Sequence, residues 1–167
     1  MDAEQLFQRS DVCQHLLVAT PSETCDFAWS LQRPPGRQAV VRLLRAAKAR
    51  TVPALFDEFA AALQFPYYFG ENWDALYECL TDLEWLPGDA YILFITDSQW
   101  LLDRESSEKF ALLLDVLENA AQRWNAGEEA GLEPPRAFHV VFQCSPESAP
   151  AFLTRIEAEG RTLDRLN

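Results

Sequence analysis

The middle of this chain has no positive charge. Between Thr51 and Asp103 there is no lysine, arginine or histidine, although the same stretch contains ten carboxylates. The net charge of the whole chain is −12, of which this stretch supplies −10. A field of one sign repels polyanions and steers a cationic partner toward one face. Because no basic stripe is present elsewhere, the sequence disfavours nucleic acid as the partner and favours a basic protein.

Long apolar runs and paired cysteines are also missing. No stretch of about 18 apolar residues is present, so we expect no membrane span and no membrane partner. Residues 1–5 are acidic and are not followed by an apolar run, so we expect no secretory signal and a cytoplasmic location. The four cysteines, at positions 13, 25, 79 and 144, include no C-x-x-C pair, which favours reduced thiols over disulfides or a zinc site.

The motifs of common enzyme classes are absent as well. There is no G-x-G-x-x-G, Walker loop, H-E-x-x-H or G-x-S-x-G. The two histidines, His15 and His139, are expected to have structural roles. Asp97 and Asp103 follow a predicted strand, at the end where open α/β sheets bind ligands, so a cation or small-molecule site there is a lesser alternative. We predict a protein that is not an enzyme and that needs no cofactor or metal.

Apolar patterns predict three strands separated by helices. The strands are predicted at residues 38–44, 90–96 and 138–144. Helices are predicted at residues 51–65, 72–83, from 106 or 107 onward, and 145–160, with a loop at 125–136. Ala90–Thr96 is apolar almost throughout, as expected for a strand buried on both faces. The sequence therefore predicts an α/β fold with a parallel sheet of order 1-2-3 and this strand in the middle.

The first 37 residues look like an extension to this pattern. We predict a short helix at residues 2–8 and a strand at residues 26–31 that adds antiparallel beside the first strand of the sheet. A length of 167 residues suits one domain with a core of its own. The predicted organisation is an N-terminal extension, 1–37, followed by the main domain, 38–167.

The predicted helix at residues 72–83 has an acidic outer face. At about 100° per residue, Asp74, Glu78 and Thr81 point away from the core. The inward side is apolar and consists of Leu76, Cys79, Leu80 and Leu83. Asp74, Glu78 and Asp82 follow one another at intervals of four, where like charges destabilise a helix by roughly 0.2–0.5 kcal/mol per pair. No lysine or arginine in the helix offsets this repulsion.

Two interpretations of this face remain open from the residues alone. A solvated acidic face is the simpler one, because carboxylates near the start of a helix are favoured by its dipole. A protein-binding face is favoured by Tyr68 in the preceding loop and by Tyr77 beside the acids, since tyrosines next to charges are typical of interfaces.

The segment from Tyr67 to Thr81 resembles the signature of the barstar family, whose members are intracellular inhibitors of barnase-type ribonucleases. The G-E-N-x-D-A-L core, the aromatic residues before it and the C-L-T after it match in register. The resemblance implies a two-layer fold with a three-stranded parallel sheet packed with helices, to which this chain adds an N-terminal extension and a C-terminal helix. It also implies a basic ribonuclease, or a ribonuclease-type toxin, as the partner.

The resemblance further implies which residues bind the partner. In the family, carboxylates of the second helix take the place of substrate phosphates in the ribonuclease active site. By position, Asp74 and Glu78 are the central carboxylates, and Tyr68 packs on a catalytic histidine. The acid that the family has on its long later helix falls on Asn119, with Glu118 beside it. The implied partner-binding residues are Tyr68, Phe69, Gly70, Glu71, Asn72, Trp73, Asp74, Tyr77, Glu78, Thr81, Asp82 and Glu118.

Some positions depart from the family pattern. Glu78 stands where the best-known member has an aspartate, and Tyr77 stands where the family has a tryptophan. These departures leave the identity of the partner open. One alternative is a barstar-like acidic module that binds a basic partner other than a nuclease. Another is a phosphate mimic that binds many nucleic-acid-binding proteins without selectivity.

Overall fold

The chain alternates strands with helices, and this computed structural model describes residues 3–32, 37–127 and 134–166. The strands are β1 (Gln14–Val18), β2 (Ala39–Arg45), β3 (Ala90–Thr96), β4 (Ala137–Cys144) and β5 (Asp164–Leu166). The helices are α1 (Pro21–Leu31), α2 (Val52–Leu63), α3 (Trp73–Asp82), α4 (Ser107–Ala126) and α5 (Ala149–Ala158). Short 3₁₀ turns lie at Glu4–Phe7, Ala46–Lys48 and Ser98–Trp100.

Within the described residues, the strands form one parallel sheet of five strands in the order β2-β3-β4-β1-β5. The predicted order of β2, β3 and β4 is confirmed, and β2 lies at an edge of the sheet. The prediction of a three-stranded sheet is wrong, because β1 pairs with β4 and β5 pairs with β1.

The predicted strand at residues 26–31 is also wrong, because these residues belong to α1. The side-chain oxygen of Thr20 accepts from the backbone N–H of Glu23, and the Glu23 carboxylate accepts from the backbone N–H of Thr20 at 2.8 Å. Pro21 then occupies the first turn. This capping box starts a helix, and Phe27 and Leu31 fall on its buried side. Near the N-terminus, only Glu4–Phe7 forms a helical turn, and residue 2 lies outside the described residues.

Helices cover both faces of the sheet, so the expected two-layer arrangement is replaced by three layers. On β3, Tyr91, Leu93 and Ile95 join the larger core beneath α2–α5. Ile92 and Phe94 point the other way, into a second core with residues of α1 and the first 3₁₀ turn. The apolar character of β3 therefore has two causes, one on each face. Residues before 38 contribute side chains to both cores. The division of the chain into an N-terminal extension, 1–37, and a main domain, 38–167, remains a prediction.

The crossover from β2 to β3 carries two helices, α2 and α3, and the loop between them. α2 ends at Leu63. The next residue, Gln64, has a left-handed backbone (φ 54°), and Pro66 follows soon after. The predicted inward side of α3 is confirmed, since Leu76, Cys79 and Leu80 are buried in the structure. α3 thus rests on the larger core, and its opposite side is presented outward.

The later elements follow the predicted order with shifted ends. α4 continues to Ala126, so it extends into the predicted loop at 125–136, of which residues 128–133 lie outside the described residues. The last predicted helix begins at Ala149, after a turn. None of the described helices is long and apolar enough to cross a membrane.

Candidate protein-binding surface

The loop that leads into α3 is held by the residues of the G-E-N motif. The side-chain oxygen of Asn72 accepts from the backbone N–H of Ala75 at 2.9 Å, and its Nδ2 donates to the carbonyl of Gly70 at 3.2 Å. Glu71 has a left-handed backbone (φ 50°), which costs on the order of 1 kcal/mol. A Cβ at Gly70 would lie 3.1 Å from Asn72 Nδ2. The motif therefore fixes the angle at which the loop enters the helix.

Two of the predicted aromatic site residues pack the loop against the larger core. Phe69 packs edge-to-face against Phe56 and Phe65, with ring centroids 5.9 and 4.9 Å apart. Trp73 packs against the same Phe56 at 5.2 Å. Both side chains are half-buried against the larger core. Their contacts position the loop and leave only part of each ring for a partner.

Two tyrosines of the loop are exposed beside the acids. Tyr68 is 62% exposed, and its ring lies 5.9 Å from that of the fully exposed Tyr67. Tyr68 shares a small pocket of about 120 Å³ with Glu78 and Asp82. The pKa of the Tyr68 phenol is raised, first by partial desolvation against the surface and then by the negative charge of Asp82. Sequence reasoning did not select Tyr67, although its place directly after Pro66 in an aromatic loop was visible.

The carboxylates of α3 have no cationic partner within the described residues. Asp74, Glu78 and Asp82 are exposed on the outer side of the helix, and Glu71 and Glu84 are exposed at its two ends. None of these five takes part in an ion pair among the described residues. No ion pair among the described residues therefore offsets their mutual repulsion.

Other acids of the same stretch are paired. The Glu58 carboxylate accepts from Arg45 Nε at 2.8 Å, and hydrogen bonds from Arg45 lower the pKa of this carboxyl. Asp103 forms a bidentate pair with Arg50, which lowers the pKa of Asp103. The stretch thus contains paired acids that hold neighbouring elements together and unpaired acids gathered on α3.

Two grooves flank the acidic helix. The larger, of about 910 Å³, is lined by acids that include Glu78, Asp82 and Glu84 and by two arginines, Arg123 and Arg136. The second, of about 540 Å³, lies between α3 and α4 and is lined by Trp73, Asp74, Tyr77, Leu112, Val116, Asn119, Gln122 and Arg123. Tyr77 lines both grooves. Arg123 was not selected from the sequence, where nothing links it to the acidic helix.

Two of the predicted partner-binding residues do not belong to the exposed side of α3, because one is buried and the other lines a different groove. Thr81 borders the larger groove but is buried, and its hydroxyl donates to the carbonyl of Tyr77 at 2.9 Å. Glu118 pairs with Arg161 and lines a separate groove with Cys13. The remaining predicted residues lie between Tyr68 and Asp82, on the loop and α3, and Phe69, Trp73 and Tyr77 among them are half-buried.

The described residues contain no group of three or more histidine, cysteine or acidic side chains that could hold a metal ion. Asp103 is one of the two acids proposed for a cation or small-molecule site after β3, and its carboxylate is paired with Arg50. The backbone N–H of the other, Asp97, donates to the side chain of Gln143 at 2.9 Å. The chemistry available on the α3 surface is the binding of cations by carboxylates.

Two solved structures of one archaeal protein have a similar fold. The ORC2 protein of Aeropyrum pernix, in ADPNP-ADP complexes, is 14% identical with a TM-score of 0.60 and covers 98% of this chain. Its ADP form is 13% identical with a TM-score of 0.61 and covers 93%. The chain spans less than half the length of these proteins, 43% and 42%. At such low identity the likeness concerns the fold alone. A comparison with curated proteins gives no match.

A family model described as Barstar (barnase inhibitor) matches residues 39–143. The match begins with β2, ends in β4 and includes the G-E-N loop and the acidic helix. It spans well over half of the chain, and the signature residues lie where the structure presents an exposed acidic surface. The chain therefore belongs to the barstar family.

Proposed function

We propose that this protein is an inhibitor that binds a basic ribonuclease, or a ribonuclease-type toxin, through α3 and the loop before it, and so blocks the active site of that enzyme. The observation that carries the proposal is the row of unpaired carboxylates, Asp74, Glu78 and Asp82, on the exposed side of α3. A helix optimised for its own stability would place a lysine among them.

The chemistry suits a phosphate-binding active site. Residues four apart on a helix place their Cβ atoms about 5–6 Å apart, so the three acids form a line of negative charge. Cationic side chains that bind substrate phosphates can bind carboxylates instead, by donating short charge-assisted hydrogen bonds to them. The one-sided field of the 51–103 stretch would also speed the encounter with a basic enzyme, in a salt-dependent way.

The exposed aromatic rings supply the apolar part of such an interface. Tyr67 and Tyr68 stand out from the loop beside the acids. Rigid aromatic side chains of this kind are enriched among the residues that dominate binding energy. The inhibitor acts by occupying the active site, so it needs no catalytic group of its own.

A cytoplasmic location is part of the proposal. All four cysteines, Cys13, Cys25, Cys79 and Cys144, are free thiols. Free thiols, including the exposed Cys25, fit a reducing compartment. An inhibitor there would protect the cell that makes the nuclease.

A second candidate function is the binding of a basic partner that is not a nuclease. Glu78 favours it, because the extra methylene relative to aspartate moves the carboxylate outward by about 1 Å or more. A site shaped for the shorter side chain would not accept this one unchanged. Inhibition of a purified barnase-type ribonuclease, compared between Glu78→Ala and the control Glu157→Ala, separates the two functions.

A further inference from the structure

Arg123 stands between the two grooves that flank the acidic helix. It is exposed in the last turn of α4 and lines both grooves, each time together with Asp74 and Tyr77. A partner that covers the outer side of α3 and fills either groove would therefore meet a guanidinium as well as carboxylates.

Within the described residues Arg123 takes part in no ion pair, in contrast to Arg45, Arg50 and Arg161. A cation near the end of a helix is favoured by the helix dipole, which is the purely structural explanation for its position. That explanation accounts for a positive charge in the last turn. It makes no prediction about the charge of the partner.

The larger groove is lined by two arginines as well as by acids. Arg136 lines it together with Arg123. The guanidinium of Arg136 is held in place, since it lies 5.4 Å from the ring centroid of Trp124 and donates to the Tyr91 hydroxyl at 3.0 Å. The lining of the groove thus carries charges of both signs, which complements a surface that also carries both charges.

We propose that Arg123 is a specificity-determining residue of the interface and binds a carboxylate that the partner carries at the rim of its basic active site. This inference rests on the proposed function. Like charges brought together at an interface are strongly unfavourable, so Arg123 acts against a ribonuclease with a wholly basic rim and favours one with an acid there. The protein would in this way distinguish among nucleases that all bind phosphate.

A charge exchange tests the inference. Exposed aspartates and glutamates around the active site of a purified barnase-type ribonuclease are changed one at a time to lysine, and each variant is bound to the wild-type protein, to Arg123→Glu and to Arg104→Glu. Arg104 is exposed and lines neither groove, so it is the matched control. Thermal unfolding of both protein variants checks that each remains folded.

We expect one ribonuclease variant to lose about tenfold or more in affinity for the wild-type protein and to regain most of it with Arg123→Glu, but not with Arg104→Glu. If binding is tight and no variant is rescued by Arg123→Glu, the inference is overturned while the proposed function stands. If the wild-type protein does not bind the ribonuclease at all, both are overturned.

Discussion

The indole N–H of Trp124 donates to the backbone carbonyl of Leu80 at 2.8 Å, and this bond fastens α4 to the buried side of α3. Leu80 is fully buried and Trp124 almost so. The acidic side of α3 is therefore presented by a helix that is held in place before any partner arrives. Such preorganisation reduces the conformational entropy lost on binding.

Replacing Trp124 by phenylalanine should lower the free energy of unfolding by about 1–3 kcal/mol, because the buried carbonyl of Leu80 would lose its donor. Urea unfolding measures the change. Trp100→Phe is the control, since Trp100 is 42% exposed and should cost less. Equal losses in the two variants would show that the bond to Leu80 is not what stabilises this contact.

The cap of α3 gives a second prediction. Asn72→Ala removes the side chain that accepts from Ala75 and should lower the free energy of unfolding by about 1 kcal/mol. Asn72→Ser keeps an oxygen able to cap the helix and should cost only a few tenths of a kcal/mol. Chemical denaturation compares the two. A serine variant as unstable as the alanine variant would argue against the cap as the cause.

The unpaired acids should make the free protein less stable than it could be. Glu78→Gln removes the repulsion with both Asp74 and Asp82, and should raise the free energy of unfolding by roughly 0.4–1 kcal/mol at low salt. Added salt should shrink the gain. Denaturation at two ionic strengths, with Glu157→Gln as the control, measures this effect. A variant no more stable than the wild type would mean that the acids are already compensated.

A buried pair of histidines joins β1 to β4. His139 Nε2 lies 2.8 Å from the carbonyl of Gln8, which can only accept, so this nitrogen carries the proton. His139 Nδ1 then accepts from His15 Nε2 at 2.9 Å. His15 Nδ1 is left without a proton, 3.7 Å from the Asp164 carboxylate. Burial lowers the pKa of His15 to about 4, with a further contribution from His139 and opposition from Asp164.

Acid should therefore destabilise the protein through His15. Its folded pKa of about 4 lies below the ordinary 6.5, so the unfolded chain binds the proton first. The stabilisation is complete above pH 6.5 and is lost as the pH falls toward 4, by up to about 3 kcal/mol. Unfolding free energies across this range should fall more steeply for the wild type than for His15→Gln. Parallel curves would contradict the assigned protonation.

Local patterns predicted much of the fold and the surface. The inward side of α3 follows from helical periodicity. β1 was not predicted, because it begins with two polar residues, Gln14 and His15, and so lacks the apolar pattern of a buried strand. Their partners lie far along the chain: Gln14 Nε2 donates to the carbonyl of Leu114 at 2.9 Å, and His15 pairs with His139. β5, with three residues, is too short to show a period.

The placement of the long helix shows the limit of alignment. Glu118 and Asn119 are neighbours in sequence but differ by about 100° around α4. Asn119 consequently faces the groove beside α3, whereas Glu118 faces Arg161. A shift of one residue in the alignment does not affect recognition of the family, but it decides which groove a side chain enters.

The most direct test of the account is titration of a purified barnase-type ribonuclease with this protein, while the residual cleavage of RNA is measured. The account predicts complete inhibition at one inhibitor per enzyme. Glu78→Ala should weaken binding by about 100-fold, because it leaves a cation of the enzyme buried without its partner. Glu157→Ala, which removes an exposed carboxylate of α5, should inhibit like the wild type. No inhibition by the wild type, or equal inhibition by all three proteins, would contradict the account.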